Sequence, residues 1–366
     1  MGFNCGIVGL PNVGKSTLFN ALTETVQAQA ENYPFCTIEP NSGRVAVPDD
    51  RLDRLASLAK SAKVIPTFLE FVDIAGLVRG ASKGEGMGNQ FLGHIREVDA
   101  VVHVLRCFDG GDVTHVEGSV DPIRDAETVE TELMLADMQS LEKRIDPLKE
   151  RLKGQDKEAA ATLDLVERAL ALLEAGKPAR VLPVTAEEKK PFRQLQLLTA
   201  KPVLYVCNVD EESAAAGNAH SDQVAAKAET EGAAAVVVSA AIEAEVAQLD
   251  SPTEKAEFLE SLGLTETGVA RVVRAGYALL DLVTFFTAGP KEARAWTTTA
   301  GSTASQAAGV IHTDFEKGFI AAETIAFDDY VACGGEQEAK DAGKMRLEGR
   351  DYVVKNGDVL LFRFNV

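Results

Sequence analysis

Apolar positions fall into three regimes along the chain. Residues 3–10 (FNCGIVGL) form a short unbroken apolar run, the pattern of a strand buried on both faces. Similar runs recur at 66–74 (PTFLEFVDI), 100–107 (AVVHVLRC), 201–207 (KPVLYVC) and 234–239 (AAVVVS), and a further strand is expected at 41–47. Between them the apolar spacing is helical, as at Leu18, Phe19 and Leu22 within 16–26. Helices are also expected at 51–63, 89–98, in part of 242–262, and at 271–282. Strands alternating with helices predict an α/β unit with a largely parallel sheet.

The second regime runs from residue 121 to about 154 as one long helical pattern. Leu141, Ile145, Leu148 and Leu152 alternate spacings of four and three, the seam of a coiled coil. Gly154 breaks it, and Leu163, Val166, Leu170 and Leu173 carry a second helix back to Gly176. Together they predict an antiparallel helical hairpin. Lys143, Arg144, Lys149, Arg151, Lys153 and Lys157 gather towards its far end. That cluster reads equally as a solvated face and as a contact for RNA phosphates. The third regime begins near residue 283, where short apolar runs at 282–287, 294–299 and 359–364 alternate with glycine-rich turns.

The chemistry is concentrated at Gly9-Leu10-Pro11-Asn12-Val13-Gly14-Lys15-Ser16, which fits G-x-x-x-x-G-K-[ST] between a predicted strand and a predicted helix. Such a loop turns backbone N–H groups, here those of Asn12 to Thr17, towards a phosphate, and the helix N-terminus adds partial positive charge. Lys15 is placed to reach the β- and γ-phosphates, and Ser16 to ligate Mg²⁺. Asp73, at the end of the 66–74 run, is a second Mg²⁺ ligand, and Gly76 follows it where an N–H meets the γ-phosphate. Thr37, in the irregular loop YPFCTIEPN, offers a third oxygen. The glycine-rich run 80–88 reads as a switch segment.

GLPNVGKS, YPFCTIEPN, DIAGLVRGASKGEGMGNQFL and HVLRCF together resemble the Obg-related P-loop NTPases, specifically the Obg-like ATPases of the YchF type. The resemblance continues through Asn208-Val209-Asp210-Glu211 and HTDFEKGFI (residues 312–320) to the last residues. It implies a P-loop G domain (1–120 and 200–282), an inserted α-helical coiled-coil hairpin (121–199) and a C-terminal TGS domain of β-grasp form (283–366). It also implies ATP hydrolysis with Mg²⁺ and association with the ribosome or its large subunit, with RNA met by the basic end of the arm and by the TGS domain.

The base-reading motif narrows the nucleotide. Where GTPases carry N-K-x-D, this chain has Asn208, Val209, Asp210 and Glu211. The missing aspartate is the group that reads the guanine N1–H and 2-amino donors, so ATP is expected over GTP. Ser239 opens the last base-side loop. A GTPase, a dual ATP/GTP hydrolase, and a nucleotide sensor with slow resetting hydrolysis remain the alternatives. The residue after D-x-x-G is Leu77, which cannot orient water, so another group must. His103 lies inside an apolar strand and reads as core; His94 is a fallback. His115, in the glycine-containing loop 109–116, is expected to be catalytic, because loops after strand C-terminal ends face the ligand and the family resemblance points to a histidine here.

Composition limits the rest. Thirty-seven basic against 56 acidic residues give a net charge of −19, which argues against broad nucleic-acid binding except through a local basic patch. An acidic surface equally suits a salty cytoplasm. The five cysteines are scattered with no C-x-x-C pair and read as reduced cytosolic thiols, three of them core. The start lacks a basic n-region, and no apolar run is long enough to span a bilayer; the expected location is cytoplasmic.

Overall fold

The computed structural model describes residues 3–30, 42–74, 87–109, 119–249 and 251–365. Its strands are β1 (Asn4–Val8), β2 (Ser42–Ala46), β3 (Val64–Ile65), β4 (Phe68–Asp73), β5 (Ala100–Arg106), β6 (Val203–Asn208), β7 (Ala234–Val238), β8 (Leu282–Ala288), β9 (Ala293–Thr299), β10 (Phe319–Ala326), β11 (Arg346–Glu348) and β12 (Asp358–Phe364). They form two six-stranded sheets, ordered β2-β4-β1-β5-β6-β7 and β11-β10-β12-β8-β9-β3.

The first sheet is parallel from β4 to β7, with β2 antiparallel at one edge. Its central strands are enclosed on both faces, which is why they read as continuous apolar runs rather than alternations. Helices Lys15–Ala30, Met87–Glu97, Ala219–Thr230 and Gly268–Leu279 connect the strands. Gly9 is required by packing: a Cβ there would lie 2.7 Å from the Val104 carbonyl oxygen on β5.

The hairpin is built from helices Pro122–Leu152 and Lys157–Glu174. Asp121 and Asp156 cap their N-termini by accepting backbone N–H groups. Of the expected seam, Leu141, Leu148, Leu163, Val166 and Leu173 are buried, while Ile145, Leu152 and Leu170 pack at its margin. The basic cluster is more dispersed than its spacing suggests. The Arg144 guanidinium donates to the Leu195 carbonyl at 3.0 Å, Arg151 pairs with Asp156, and Lys153 with Glu150. Among the described residues, Lys143, Lys149 and Lys157 make no ion pair.

A buried charge cluster roots the hairpin in the sheet. Arg180 pairs with Glu130 and, at 2.7 Å, with Glu231; Lys227 pairs with both carboxylates; and the Tyr205 hydroxyl donates to Glu231 at 3.0 Å. Asp137 accepts from Leu198 N–H, Thr199 N–H and the Thr199 hydroxyl, fixing the return of the chain into β6.

The second sheet grips the helix Ala304–Ile311 on one face, with β12 central and parallel to β8, a β-grasp arrangement. Its other face is covered partly by a segment from far upstream. The predicted helix 51–63 ends earlier, as Asp50–Ala59, because Lys60 takes a left-handed conformation (φ 52°). Residues beyond it turn into β3, which pairs with β9. Leu52 and Leu55 pack against Phe286, Ile325 and Val359. The predicted closing helix 271–282 is Gly268–Leu279, and β8 already begins at Leu282.

The expected core cysteines are core: Cys5, Cys107 and Cys207 are buried, and burial pushes the Cys5 thiol up to about 12. His103 is core as well. Enclosure, with the Lys227 and Arg180 cations nearby, depresses its pKa to about 3, against a smaller opposing pull from Glu231. A histidine held below its unfolded value of 6.5 stabilises the fold as the neutral form. That contribution is complete above pH 6.5 and is lost as pH falls from 6.5 towards 3. Urea unfolding at pH 7.0 and 5.5 should show a loss of up to about 1.4 kcal/mol per pH unit from this residue, and His103→Leu should flatten that slope whatever its effect on absolute stability.

Candidate functional site

The C-terminal ends of β1, β4, β5 and β6 lie side by side because the strands are parallel and in register. Ile7 aligns with Asp73, Val8 with His103, and Arg106 with Asn208. The loop after β1 therefore opens beside the end of β4. It turns through Asn12 (φ 65°) and Gly14 (φ 91°) and runs directly into the helix Lys15–Ala30. Ser16 and Thr17 are exposed in its first turn, and Val13 is buried beneath the loop.

Lys15 extends along the end of β4. Its ammonium is paired with the Asp73 carboxylate and lies 3.4 Å from the Ile74 carbonyl oxygen. The sequence separated these residues by 58 positions; the sheet brings them into contact. The Lys15–Asp73 pair joins a cation and a carboxylate, and the exposed Ser16 hydroxyl, a neutral oxygen, follows in the same helical turn as Lys15. Hard oxygen donors of this kind suit Mg²⁺, which typically takes one or two carboxylates and fills its remaining positions with hydroxyl, phosphate or water oxygens. Among the described residues, no group of three His, Cys, Asp or Glu side chains could hold a metal ion.

Asn208 closes the site from the other side. Its amide nitrogen donates to the Val13 carbonyl at 2.9 Å, and its amide oxygen accepts from Ala240 N–H at 2.9 Å. The side chain thus fastens the phosphate loop to the first turn of the helix that follows β7. Gly14 makes room for it, since a Cβ there would lie 2.2 Å from the Asn208 amide nitrogen. Ser239 is enclosed, and its hydroxyl has no hydrogen-bond partner among the described residues. Glu211 is exposed at the rim. Val209 differs from what its place in the motif suggests: its side chain is core, only 2% exposed, and its N–H is bound to Val238, so it presents no side chain to a base.

Thr37, Gly76 and His115 lie outside the described residues. His94, the fallback, is in the helix Met87–Glu97. Sequence reasoning missed Asn218, which both caps the helix Ala219–Thr230 and donates to the Cys107 carbonyl at 2.7 Å, tying that helix to the chain leaving β5. The legible signal was Asn218 followed three residues later by Ser221, which completes a capping box. His220, in the first turn of that helix, reaches within 3.8 Å of Asp109.

Comparison with known proteins gives one answer along the whole chain. A family profile described as "50S ribosome-binding GTPase" matches residues 4–164, and the YchF-GTPase_C profile, described as a protein of unknown function (DUF933), matches 282–365. The chain is similar to "Ribosome-binding ATPase YchF" of Haemophilus influenzae, 56% identical over 100% of both chains. It is also similar to the protein of that name in Bacillus subtilis, at 52% over 100% of both. The solved structure titled as the Schizosaccharomyces pombe YchF GTPase superposes with a TM-score of 0.88 at 36% identity, covering 99% of this chain and 98% of that one. With relatives of this identity matched over the whole chain and a solved structure of the same fold, the chain belongs to the YchF family of P-loop NTPases.

Proposed function

We propose that this chain is a Mg²⁺-dependent ATPase that works as a nucleotide-dependent switch on the ribosome. The observation that carries the hydrolase reading is the pairing of Lys15 with Asp73 beside the phosphate loop, with Ser16 exposed in the adjoining helical turn. In this reading a bound triphosphate takes Lys15 from Asp73, and Ser16, Thr37 and Asp73 hold Mg²⁺. The cation would neutralise charge on the β- and γ-phosphates. Backbone N–H groups of the loop, with Gly76, orient those phosphates. The name borne by the bacterial relatives supports both ATP hydrolysis and the ribosomal partner.

ATP is favoured over GTP by Glu211 in place of the guanine-reading aspartate. The unpartnered Ser239 hydroxyl, beside the Asn208 clasp, is the enclosed polar group on the base side. Residues 121–199 form the arm that meets RNA, through Lys143, Lys149 and Lys157 rather than through the internally bonded Arg144. Residues 283–366 form a partner-binding TGS module. No described helix is long and apolar enough to cross a membrane, which fits work at the ribosome in the cytoplasm.

Three measurements test this reading. Calorimetric titration of Lys15→Ala with Mg·ATP should show affinity reduced by about tenfold to over a hundredfold, the worth of a charge-assisted phosphate contact; wild-type affinity would place the nucleotide elsewhere. Parallel titrations with ATP and GTP should show ATP bound at least as tightly. Glu211→Asp should narrow that difference, without the buried cation that Val209→Lys would introduce. His115→Ala should bind ATP almost normally and lose turnover by about 10²-fold, as for a positioned acid–base group. Unchanged turnover there, with an inactive His94→Ala, would move the role to His94.

A further inference from the structure

Residues 49–67 lie between β2 and β4 in sequence, yet most of their partners are in the second sheet. Ala293 N–H donates to Lys63, Ala62 N–H to Pro290 and the Ser61 hydroxyl to Gly289, at 2.9, 3.0 and 2.8 Å. Arg51 donates to Asn356 at 3.0 Å and stacks over the Phe286 ring at 5.2 Å. These contacts dock the segment. One further set reaches the nucleotide strands themselves.

The Tyr277 hydroxyl donates to Thr297 at 3.1 Å and lies 2.7 Å from the Thr284 hydroxyl; the Thr297 hydroxyl in turn contacts that of Thr67. Each hydroxyl carries one proton. Because Tyr277 donates to Thr297, it accepts from Thr284, and a Thr297 donation to Thr67 completes a one-way chain across β8, the helix Gly268–Leu279, β9 and the start of β4. Thr67 and Thr284 are enclosed, so the hydroxyls at both ends are sheltered from competing water. The Thr67 carbonyl also accepts Val47 N–H at 2.9 Å, so one residue holds the end of β2 and the start of β4 together. β4 is hydrogen-bonded on both sides, to β2 and to β1, and ends at Asp73. Bonded along both edges, β4 resists bending, so the place of Thr67 constrains the path of the strand that ends at Asp73.

We propose that Tyr277 and Thr297 are positioning residues for Asp73, coupling the C-terminal sheet to the triphosphate state of the nucleotide site. The proposal rests on the nucleotide reading above. A ligand that separates Lys15 from Asp73 must let the end of β4 settle against it, and the hydroxyl chain sets where that strand lies. Coupling of binding energies is reciprocal, so the triphosphate in turn tightens the hold of the second sheet on Thr67. A diphosphate, lacking the γ-phosphate on which Lys15 and the Asp73-held cation converge, exerts little of this.

The test uses the full chain with Mg²⁺ and fluorescent derivatives of ATPγS and ADP. Tyr277→Phe and Thr297→Val each remove one hydroxyl with little change of shape. ATPγS affinity should fall by about three- to tenfold, the usual net effect of one lost hydrogen bond, with ADP affinity changed less than about twofold. Thr297→Ser should restore the wild-type ratio. In the wild type, hydrogen exchange across β9 should be slower with ATPγS than with ADP, and in Thr297→Val that difference should vanish. Equal weakening of both nucleotides, a lowered Tm with an unchanged ratio, or no nucleotide-dependent exchange at β9 would overturn the proposal. If Lys15→Ala bound both nucleotides like the wild type, the nucleotide assignment itself would fall, a result distinct from those three.

Discussion

The Asn208 carboxamide holds the nucleotide end of this molecule together. One amide group is bonded to the phosphate loop through Val13 and, through Ala240, to the first turn of the helix that follows β7. The two contacts span the part of the site that would face phosphates and the part that would face a base. Because the group is enclosed, neither bond competes with water, and losing either would leave a buried main-chain group without its partner, at a cost of roughly 1–3 kcal/mol. The positive φ of Gly14 and its missing Cβ are the local conditions for this clasp. The loop's shape is thus set by a residue almost two hundred positions away as much as by its own glycines.

The nucleotide sheet was legible in the sequence because its strands are buried on both faces and leave unbroken apolar runs. Lys15 and Ser16 at the head of a helix and Asp73 at the end of β4 could be placed from the sequence because the phosphate-loop motif fixes the turn between strand and helix. Contacts made by short or polar elements were not. β3 is two residues long, and Val64–Ile65 beside Pro66 carries no pattern that names β9 as its partner. The hydroxyl chain of Thr67, Thr297, Tyr277 and Thr284 uses residues that would serve equally in any strand. Val209 misled for a different reason: the motif register placed it at the base, whereas the end of β6 turns its side chain into the core. Which cations of the basic arm are internally paired was not legible, since the pairing of Arg151 with Asp156 and of Lys153 with Glu150 depends on local geometry.

The arm's root is stiffened in another way. Arg180 and Lys227 face Glu130 and Glu231 in an enclosed cluster, so each charge is compensated only while all four stay in place. Removing one partner from such a cluster is far more damaging than exchanging the whole set for apolar residues. The cluster joins the first leg, through Glu130, and the turn that follows the second leg, through Arg180, to β6 and to the helix Ala219–Thr230.

The placement of Asp50–Ala59 has a consequence for how the chain is made. Domains generally form from the N-terminus onwards during synthesis, at about 5–20 residues per second. The apolar face of this helix, with Leu52 and Leu55, is finished early, but its cover at Phe286, Ile325 and Val359 is synthesised roughly 230 residues or more later. For on the order of ten to fifty seconds the nascent chain therefore carries this helix with its apolar face still open, while the remaining strands of the nucleotide sheet, β5, β6 and β7, are being made. The last strands to emerge close a surface that the first sixty residues have already prepared.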